Sequence, residues 1–340
     1  MPSRPQMADI ARMAGVSTST VSRALSGSAL VNEATRARVQ DLAKLLKYSV
    51  NVGAQNLRLG QTRTVAVVVP YDAQSKQHIT DPFFMGMLGS LADVLTERGF
   101  DMLLSRVDAE HLDAAAQLVD SGRALGVILI GQWRHHDQLN ELAARHVPIV
   151  VWGARMQSQL YCTVGGDNVA GGALATAHLL ANGRRRIAFF GDTNLPEVAQ
   201  RYVGHREALK KARVKLYPEL CIPVAFTADS GRVAVETLVA SGSKFDAIFA
   251  CSDLLAMTAI NSLRQLGLSV PENVAVVGYD DIELAAHFHP PLTTVRQPLD
   301  VAGRALVDAL LSLLSGGQPL PALLPTELMV RGSSGSTSPI

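Results

Sequence analysis

The chain has 340 residues, of which 48% are hydrophobic and 18% are charged, with 31 basic and 30 acidic side chains. This composition excludes an intrinsically disordered chain, because disorder requires low hydrophobicity and high net charge, and the length predicts two or three domains. The residues from Met1 to Met7 are polar and no apolar run is long enough to span a bilayer. The sequence therefore favours a cytoplasmic protein without a membrane partner.

Charge is distributed unevenly along the chain. Residues 1–60 carry eight basic and three acidic side chains, a net charge of +5, whereas the remaining 280 residues carry 23 basic and 27 acidic ones, a net charge of −4. A small basic segment joined to a mildly acidic body is the asymmetry expected of a nucleic-acid-binding domain attached to a domain with another role.

The basic segment has the pattern of three short helices. The first ends at Gly15, a residue type suited to the left-handed conformation after a helix. Ser17 and Asn32 are candidate caps for the second and third helices. Apolar residues recur at helical spacing in each: Ile10, Ala11 and Ala14, then Val21, Ala24 and Leu25, then Val39, Leu42, Ala43 and Leu46. The pattern predicts a helix-turn-helix domain, with a small helical bundle bearing a solvated polar face as the alternative.

The outer face of the second helix carries Thr18, Ser19, Ser22 and Arg23. Short polar side chains let a helix lie deep in the major groove of DNA. Arginine pairs with guanine through two hydrogen bonds, and serine or threonine contacts a base edge or a thymine methyl group. The second helix is therefore the predicted DNA-reading element.

The segment from Met7 to Ser26 resembles the start of the lactose/galactose repressor family, including the Ala14-Gly-Val-Ser17 turn and the Thr20-Val-Ser-Arg23 run. The resemblance continues from Val31 to Tyr48. It implies a DNA-binding domain of residues 1–48, in which Thr18, Ser19 and Arg23 contact bases and Ser26 and Tyr48 lie near the DNA backbone.

Residues 49–62 are the expected hinge and linker, because Asn51 to Gly60 occupy the place of the family's hinge helix. The resemblance implies that this helix folds on DNA, that Leu57 enters the minor groove as a wedge, and that Asn51 joins the DNA contacts. The sequence departs from many relatives at Val50, where they have proline, and at Gln55, where they have arginine. The alternative is an ordinary linker helix whose Leu57 packs on protein.

From residue 63 onward, short apolar runs alternate with helical patterns. Several runs are rich in valine or isoleucine and lack a period of two, which is typical of parallel strands buried on both faces. They are Thr64–Pro70, Phe100–Ser105, Gly126–Ile130, Pro148–Trp152, Ile187–Phe190, Ala247–Cys251 and Val274–Gly278. An α/β fold with two parallel-sheet subdomains follows. We expect one lobe of about 63–161 with 292–322, and a second of about 162–291 with 323–340.

Ligands of such sheets bind beyond the carboxyl ends of the strands, where this sequence places arginine, aspartate, serine and aromatic residues. Carboxylates and guanidinium groups bind hydroxyls, and aromatic rings cover the apolar face of a sugar. The loops therefore predict a carbohydrate site. Trp133 is an aromatic candidate from its loop, with an exposed surface position as the alternative.

This body resembles the periplasmic-binding-protein-like core of the same family. The matching segments are Asp81-Pro-Phe-Phe84, Asp167-Asn168, Arg201 with Gly204, Ser252-Asp253, Val277-Gly-Tyr-Asp-Asp281 and Pro291-Leu-Thr-Thr-Val-Arg-Gln297. The resemblance implies effector contacts from Arg201, Ser252 and Asp280, with Asp253, Asp81, Phe83 and Gln297 nearby. A helix-capping role is the alternative for Asp253.

Motifs for catalysis are missing from the sequence. It contains no nucleophile elbow, no zinc-protease helix motif and no nucleotide-binding glycine loop. Asp280 and Asp281 are adjacent on a predicted strand end, so their side chains point apart. Cys162, Cys221 and Cys251 are widely spaced in apolar runs, which indicates reduced thiols rather than disulfides or a metal site. We therefore expect no catalytic residue, no metal and no cofactor.

These features together predict a DNA-binding transcriptional regulator, a repressor of carbohydrate-utilisation genes. It acts as a homodimer on a pseudo-palindromic double-stranded DNA operator and is released by a small carbohydrate effector, a glucoside or related disaccharide. The polar segment 332–339 has no heptad leucines, so we expect no tetramerising helix. The alternatives are a sugar-binding sensor without a DNA role, a corepressed regulator whose effector tightens DNA binding, and a sugar-processing enzyme.

Overall fold

The computed structural model describes residues 6–25, 28, 30–46, 62–72 and 77–335. The chain divides into two compact units, Met1–Thr62 and Arg63–Ile340. Four expected DNA-contacting residues lie outside the described residues, as does most of the hinge: Ser26, Tyr48, Asn51 and Leu57. In the described part of the chain, no helix combines the length and hydropathy needed to cross a bilayer.

The first unit contains the three predicted helices, α1 (Met7–Ala14), α2 (Thr18–Leu25) and α3 (Glu33–Leu45). Gly15 ends α1 in the left-handed conformation with φ of 63°. The Ser17 hydroxyl accepts from the backbone N–H of Thr20 at 3.1 Å, and the side-chain Oδ1 of Asn32 accepts from the backbone N–H of Thr35 at 2.8 Å, so both predicted caps are confirmed. One small core joins the helices: Ile10, Ala11, Ala14, Val21, Ala24, Val31, Val39 and Ala43.

The second unit holds two six-stranded sheets. The strands are β1 (Thr64–Tyr71), β2 (Asp101–Asp108), β3 (Val127–Ile130), β4 (Ile149–Trp152), β5 (Cys162–Gly166), β6 (Ile187–Phe190), β7 (Cys221–Ile222), β8 (Ala247–Ala250), β9 (Ala275–Asp280), β10 (Thr293–Arg296), β11 (Ala322–Leu324) and β12 (Glu327–Met329). The first sheet has the order β11-β5-β4-β3-β1-β2 and the second β12-β10-β9-β8-β6-β7. Only β12 runs antiparallel to its neighbour among the described strands, so the predicted parallel α/β architecture is confirmed.

Nine helices of the described residues cover these sheets. They are α4 (Pro82–Glu97), α5 (Asp113–Asp120), α6 (His136–Ala144), α7 (Asn168–Ala181), α8 (Pro196–Lys211), α9 (Ala228–Ala240), α10 (Asp253–Gln265), α11 (Glu283–His287) and α12 (Leu299–Leu314). The central strands β3, β4, β6 and β8 are buried along their whole length. A buried layer therefore lies on both faces of each sheet, as parallel sheets require.

The predicted lobe boundaries are wrong at two strands. We expected residue 162 to open the second lobe and the segment from 292 to belong to the first. Instead β5 pairs with β4 and β11 in the first sheet, and β10 pairs with β9 and β12 in the second. The chain changes sheets only after a strand has ended, at residues 166–168, 296–299 and 324–327. Each lobe therefore keeps a strand that we had assigned to the other.

Helices α7 and α8 approach each other through glycine. A Cβ atom at Gly172 would lie 2.0 Å from the carbonyl oxygen of Arg201, and one at Gly204 would lie 2.0 Å from that of Val169. Any side chain at these positions would separate the two helices. This close contact fixes where α8 places its side chains.

His205 on α8 is 1% exposed and packs against aromatic rings. The centroid of its ring lies 5.5 Å from that of Phe189 and 5.9 Å from that of Tyr202. The Thr176 hydroxyl donates to the carbonyl of Gly172, so it accepts from Nδ1–H of His205 at 2.9 Å. Burial lowers the pKa of His205 from 6.5 to about 4, and the folded protein keeps this ring neutral.

This depressed pKa predicts a pH-dependent stability. Between pH 6.5 and pH 4 the unfolded chain binds a proton at His205 that the folded chain does not, so the free energy of unfolding falls as the pH falls. We expect His205→Gln to remove about 2 kcal/mol of the difference between about pH 7 and about pH 5, measured by urea unfolding. Burial also lowers the pKa of His178, and its contribution to the pH dependence stays in both proteins. An identical pH dependence of the free energy of unfolding in His205→Gln would contradict the assignment to His205.

Candidate ligand cleft and DNA-reading helix

Helix α2 presents the predicted DNA-reading surface within the first unit. Thr18, Ser19 and Arg23 are exposed and Ser22 is partly exposed. The opposite face is anchored by Val21 and Ala24, both 0% exposed. Burial of one face fixes the rotation of α2 about its axis, so the polar side chains share a single outward surface.

A cleft opens in the second unit, at the carboxyl ends of both sheets. The first sheet contributes residues that follow β1 and β3 and the last residue of β4, and the second contributes residues that follow β6, β7, β8 and β10 and the last residue of β9. Seven of the eight predicted effector residues line it: Asp81, Phe83, Trp133, Arg201, Ser252, Asp280 and Gln297. The placement is the one expected for a ligand site in parallel α/β sheets.

Arg201 is the central cation of the cleft and is 6% exposed. Its Nε donates to Asn168 Oδ1 at 2.9 Å, and one terminal nitrogen donates to the carbonyl of Cys251 at 2.6 Å. The guanidinium carbon lies 3.7 Å from the centroid of the Tyr279 ring. Burial alone would lower the pKa of Arg201, but Tyr279 and Asp280 raise it above its ordinary value. The cation is therefore held rigidly and stays charged.

Asp280 is the buried carboxylate that faces this cation. Its Oδ1 accepts from Gln297 Nε2 at 2.7 Å. Burial raises the pKa of Asp280, although the Arg201 guanidinium opposes the rise. Asp280 has φ of 119° and Asp281 has φ of 57°, conformations that cost a side-chain-bearing residue free energy and cluster at functional sites. The strained backbone turns the carboxylate of Asp280 towards the cleft.

Asp281 points elsewhere, as its position on a strand end predicted. Its two oxygens accept from Arg296 Nε at 2.7 Å and from an Arg331 terminal nitrogen at 2.6 Å. Asp280 and Asp281 thus serve different networks, and the adjacent pair does not form a general acid/base dyad.

Aromatic side chains form part of the lining of the cleft. Phe83 and Trp152 lie 6.4 Å apart by ring centroid, and Phe84, Trp133 and Phe226 also line the space. Trp133 has φ of 50°, so a left-handed turn after β3 brings its ring to the cleft. This position in the cleft lining favours the ligand-site interpretation of Trp133 over that of an exposed surface residue.

Asp81 and Ser252 each combine a cleft position with a helix cap. The Asp81 carboxylate accepts from the backbone N–H of Phe83 at 3.0 Å and from Gln77 Nε2 at 3.1 Å. The Ser252 hydroxyl oxygen accepts from the backbone N–H of Leu255 at 3.2 Å. The caps orient both side chains before any ligand enters.

Asp253 is the predicted effector residue that the structure places outside the cleft. It is 0% exposed, and its two oxygens accept from the Thr294 hydroxyl and from the backbone N–H of Ile282. The helix cap at this point is Ser252, not Asp253. Asp253 instead ties α10 to β10 and to the loop after β9, so its carboxylate is occupied within the protein.

Glu197 is a cleft residue that no sequence motif indicated. It stands four residues before Arg201 on α8, a spacing that puts both side chains on one helix face. Burial raises the pKa of Glu197, opposed by Arg201 and by the backbone amide of Gln132. Its helical spacing from Arg201 was the available signal. Gln77, Trp152, Leu195 and Phe226 also line the cleft and carried no motif.

Comparisons with known proteins agree with this geometry. Residues 6–51 match the model of the bacterial regulatory proteins of the lacI family, and residues 176–334 match that of a periplasmic binding protein-like domain. The chain is 37% identical to the HTH-type transcriptional regulator CelR of Thermobifida fusca, over 97% of this chain and 98% of that protein.

Two solved structures have the same fold over nearly the whole chain. A transcriptional regulator CelR–cellobiose complex has a TM-score of 0.72 and 35% identity, covering 97% of this chain and 100% of that one. The Lac repressor dimer bound to operator and the anti-inducer ONPF has a TM-score of 0.82 and 25% identity, covering 98% and 99%.

A helix-turn-helix unit joined to a two-lobed binding core defines a class of protein, the ligand-responsive transcriptional regulators that bind DNA. The chain belongs to the lacI family of bacterial regulatory proteins, which confirms the family expected from the sequence.

The glycine contact between α7 and α8 predicts a stability effect at the cleft. We expect Gly204→Ala to lower the free energy of unfolding by about 1–3 kcal/mol, because the added Cβ forces the helices that hold Arg201 apart. Gly89→Ala in α4 is the matched control, since nothing lies within 4 Å of a Cβ there, and alanine stabilises a helix by about 0.5–1 kcal/mol. Equal effects of the two changes in denaturant unfolding would refute the role of the glycine contact.

Proposed function

We propose that this chain represses carbohydrate-utilisation genes by binding a pseudo-palindromic operator and is released from it by a small sugar. The observation that carries the proposal is the make-up of the cleft, whose lining combines the fixed Arg201 cation and the Asp280 carboxylate with aromatic rings. Charged hydrogen-bonding groups bind sugar hydroxyls, and aromatic rings cover the apolar face of a pyranose. A sugar is the ligand class that uses all three.

We assign the effector as a disaccharide of glucose, with cellobiose as the first candidate. The solved CelR structure is a complex with cellobiose, and that protein shares 35% identity with this chain. Arg201, Ser252, Asp280, Asp81 and Gln297 are the proposed polar contacts. Phe83 and Trp133 are the proposed stacking surfaces.

On the DNA side we propose that the protein acts as a homodimer. One short recognition helix reaches few base pairs, and two-fold pairing of identical helices matches a pseudo-palindromic operator. The Lac repressor was solved as a dimer bound to operator, which supports the same arrangement here. We place this activity in the cytoplasm, where the DNA is. We also propose that the cleft binds its sugar without transforming it, because Asp281 is engaged with Arg296 and Arg331.

Fluorescence anisotropy of labelled operator DNA, titrated with cellobiose, tests the proposal. We expect the sugar to lower the affinity for operator, with an apparent coupling of about 1–3 kcal/mol. A sugar-induced gain in affinity would instead establish corepression. Sugar binding without any operator binding would establish the sugar-binding sensor.

Arg23→Ala tests base reading by α2. We expect a loss of about 1–3 kcal/mol of operator affinity and a relaxed preference at the base pair that Arg23 contacts. Arg38→Ala, which changes an exposed arginine of α3, is the control. It should lower the affinity for all DNA sequences equally or leave it unchanged. Unchanged sequence preference of Arg23→Ala in a competition assay would exclude the base-reading role.

Arg201→Ala tests the cleft. We expect at least about a 30-fold loss of sugar affinity in calorimetry, because truncating one partner of a buried charge pair costs about 2–5 kcal/mol. Operator binding should persist and no longer respond to sugar. Arg206→Ala, an exposed residue of the same helix, is the control. A variant that still responds at the wild-type sugar concentration would remove Arg201 from the site.

A further inference from the structure

The outer side of the α7–α8 pair forms an apolar groove away from the ligand cleft. The groove follows α7 from Ala170 to Ala181, which is about 17 Å of helix. Its floor consists of small and aliphatic side chains: Ala170, Ala173, Leu174, Ala177, Ala208 and Ala212. Leu174 is 38% exposed. The small floor lets the backbone of another helix come close.

Five cations lie along or beside this groove. Arg185 and Lys211 line it, and Arg206, Lys210 and Arg213 continue the exposed surface of α8 and its end. Glu207 is the acidic residue in the lining. The patch contrasts with the unit that contains it, because residues 61–340 have a net charge of −4.

Within the described residues these five cations have no carboxylate partner, whereas many arginines elsewhere on the surface do. Arg98, Arg145 and Arg232, for example, all form ion pairs. The Arg185 side chain donates to the backbone carbonyls of Leu180 and Arg184, and only its backbone N–H contacts a carboxylate, that of Asp246. The positive charge around the groove is therefore available to an external anion.

We propose that this groove docks an acidic amphipathic helix of another protein. Its apolar stripe would fill the alanine-lined floor, and its carboxylates would meet the cations on the rim. A nucleic acid fits the surface less well, because it offers no apolar stripe and because Glu207 repels phosphate. The groove shares no lining residue with the sugar cleft, so the two sites can be tested separately.

A synthetic peptide of about four helical turns provides the test. It carries leucine or alanine at i, i+3, i+4 and i+7 and glutamate at the other positions, and its binding to the full chain is measured by fluorescence anisotropy. We expect saturable binding that weakens with salt. A scrambled peptide of the same composition and a peptide with lysine in place of glutamate should bind at least about tenfold more weakly.

Two substitutions test where the peptide binds. Lys211→Glu and Ala177→Glu should each lower the affinity for the peptide at least about tenfold. Lys244→Glu changes an exposed lysine outside the groove and should leave that affinity unchanged. Circular dichroism and retained operator binding verify that each variant is folded.

Five results would overturn the proposal. The first three are no saturable peptide binding up to about 1 mM, equal binding of the scrambled peptide, and an equal loss of peptide affinity in Lys244→Glu. The fourth is displacement of the peptide by non-operator duplex DNA, which would mark a general polyanion surface. A smaller oligomer of Lys211→Glu in light scattering would assign the groove to a second copy of this chain and would equally contradict it.

Discussion

The buried charge of Arg201 is the constraint around which the second lobe is arranged. Moving a guanidinium out of water costs several kcal/mol unless hydrogen bonds and an opposite charge replace the lost hydration. Here the replacements come from separate elements: Asn168 at the start of α7, the carbonyl of Cys251 after β8, and Tyr279 and Asp280 at the end of β9. Each element must arrive at one point, so the fold of the lobe and the geometry of the site are the same requirement.

The same network reaches the segments that join the lobes. Gln297 lies where the chain passes from β10 to α12, and its side chain donates to the Asp280 carboxylate. Asp281, which follows Asp280 at the end of β9, accepts hydrogen bonds from Arg296 and Arg331. A ligand that donates a hydrogen bond to Asp280 Oδ1 would compete with Gln297, which stands where the chain crosses between the lobes. The Asp280 carboxylate therefore joins the cleft to a crossover segment.

The sequence predicted those elements correctly whose structure depends only on their own residues. Buried Val- and Ile-rich strands such as β1 and the three helices with their caps are local features, and the sequence predicted them. It failed where the reason lies in a distant partner. The sequence misplaced β5 in the second lobe, because its Gly165 is a weak strand former. The reason for this glycine is a close contact with another segment, since a Cβ there would lie 2.1 Å from the carbonyl oxygen of Gly153. Asp253 matched a motif next to the cleft residue Ser252, but only the tertiary contacts with Thr294 and Ile282 show that its carboxylate is occupied.

The near-zero net charge is the sum of surfaces that need opposite signs. The basic segment of residues 1–60, with a net charge of +5, attracts the DNA phosphate backbone, and residues 61–340, with a net charge of −4, are repelled by it. Non-specific adhesion of the larger body to DNA is thereby disfavoured, which leaves contact with DNA to the basic segment. Within such a body, the five cations on α8 and beside it lack carboxylate partners among the described residues, whereas Arg98, Arg145 and Arg232 are paired elsewhere on the same surface. An unpaired positive surface beside an apolar groove is complementary to an acidic amphipathic partner.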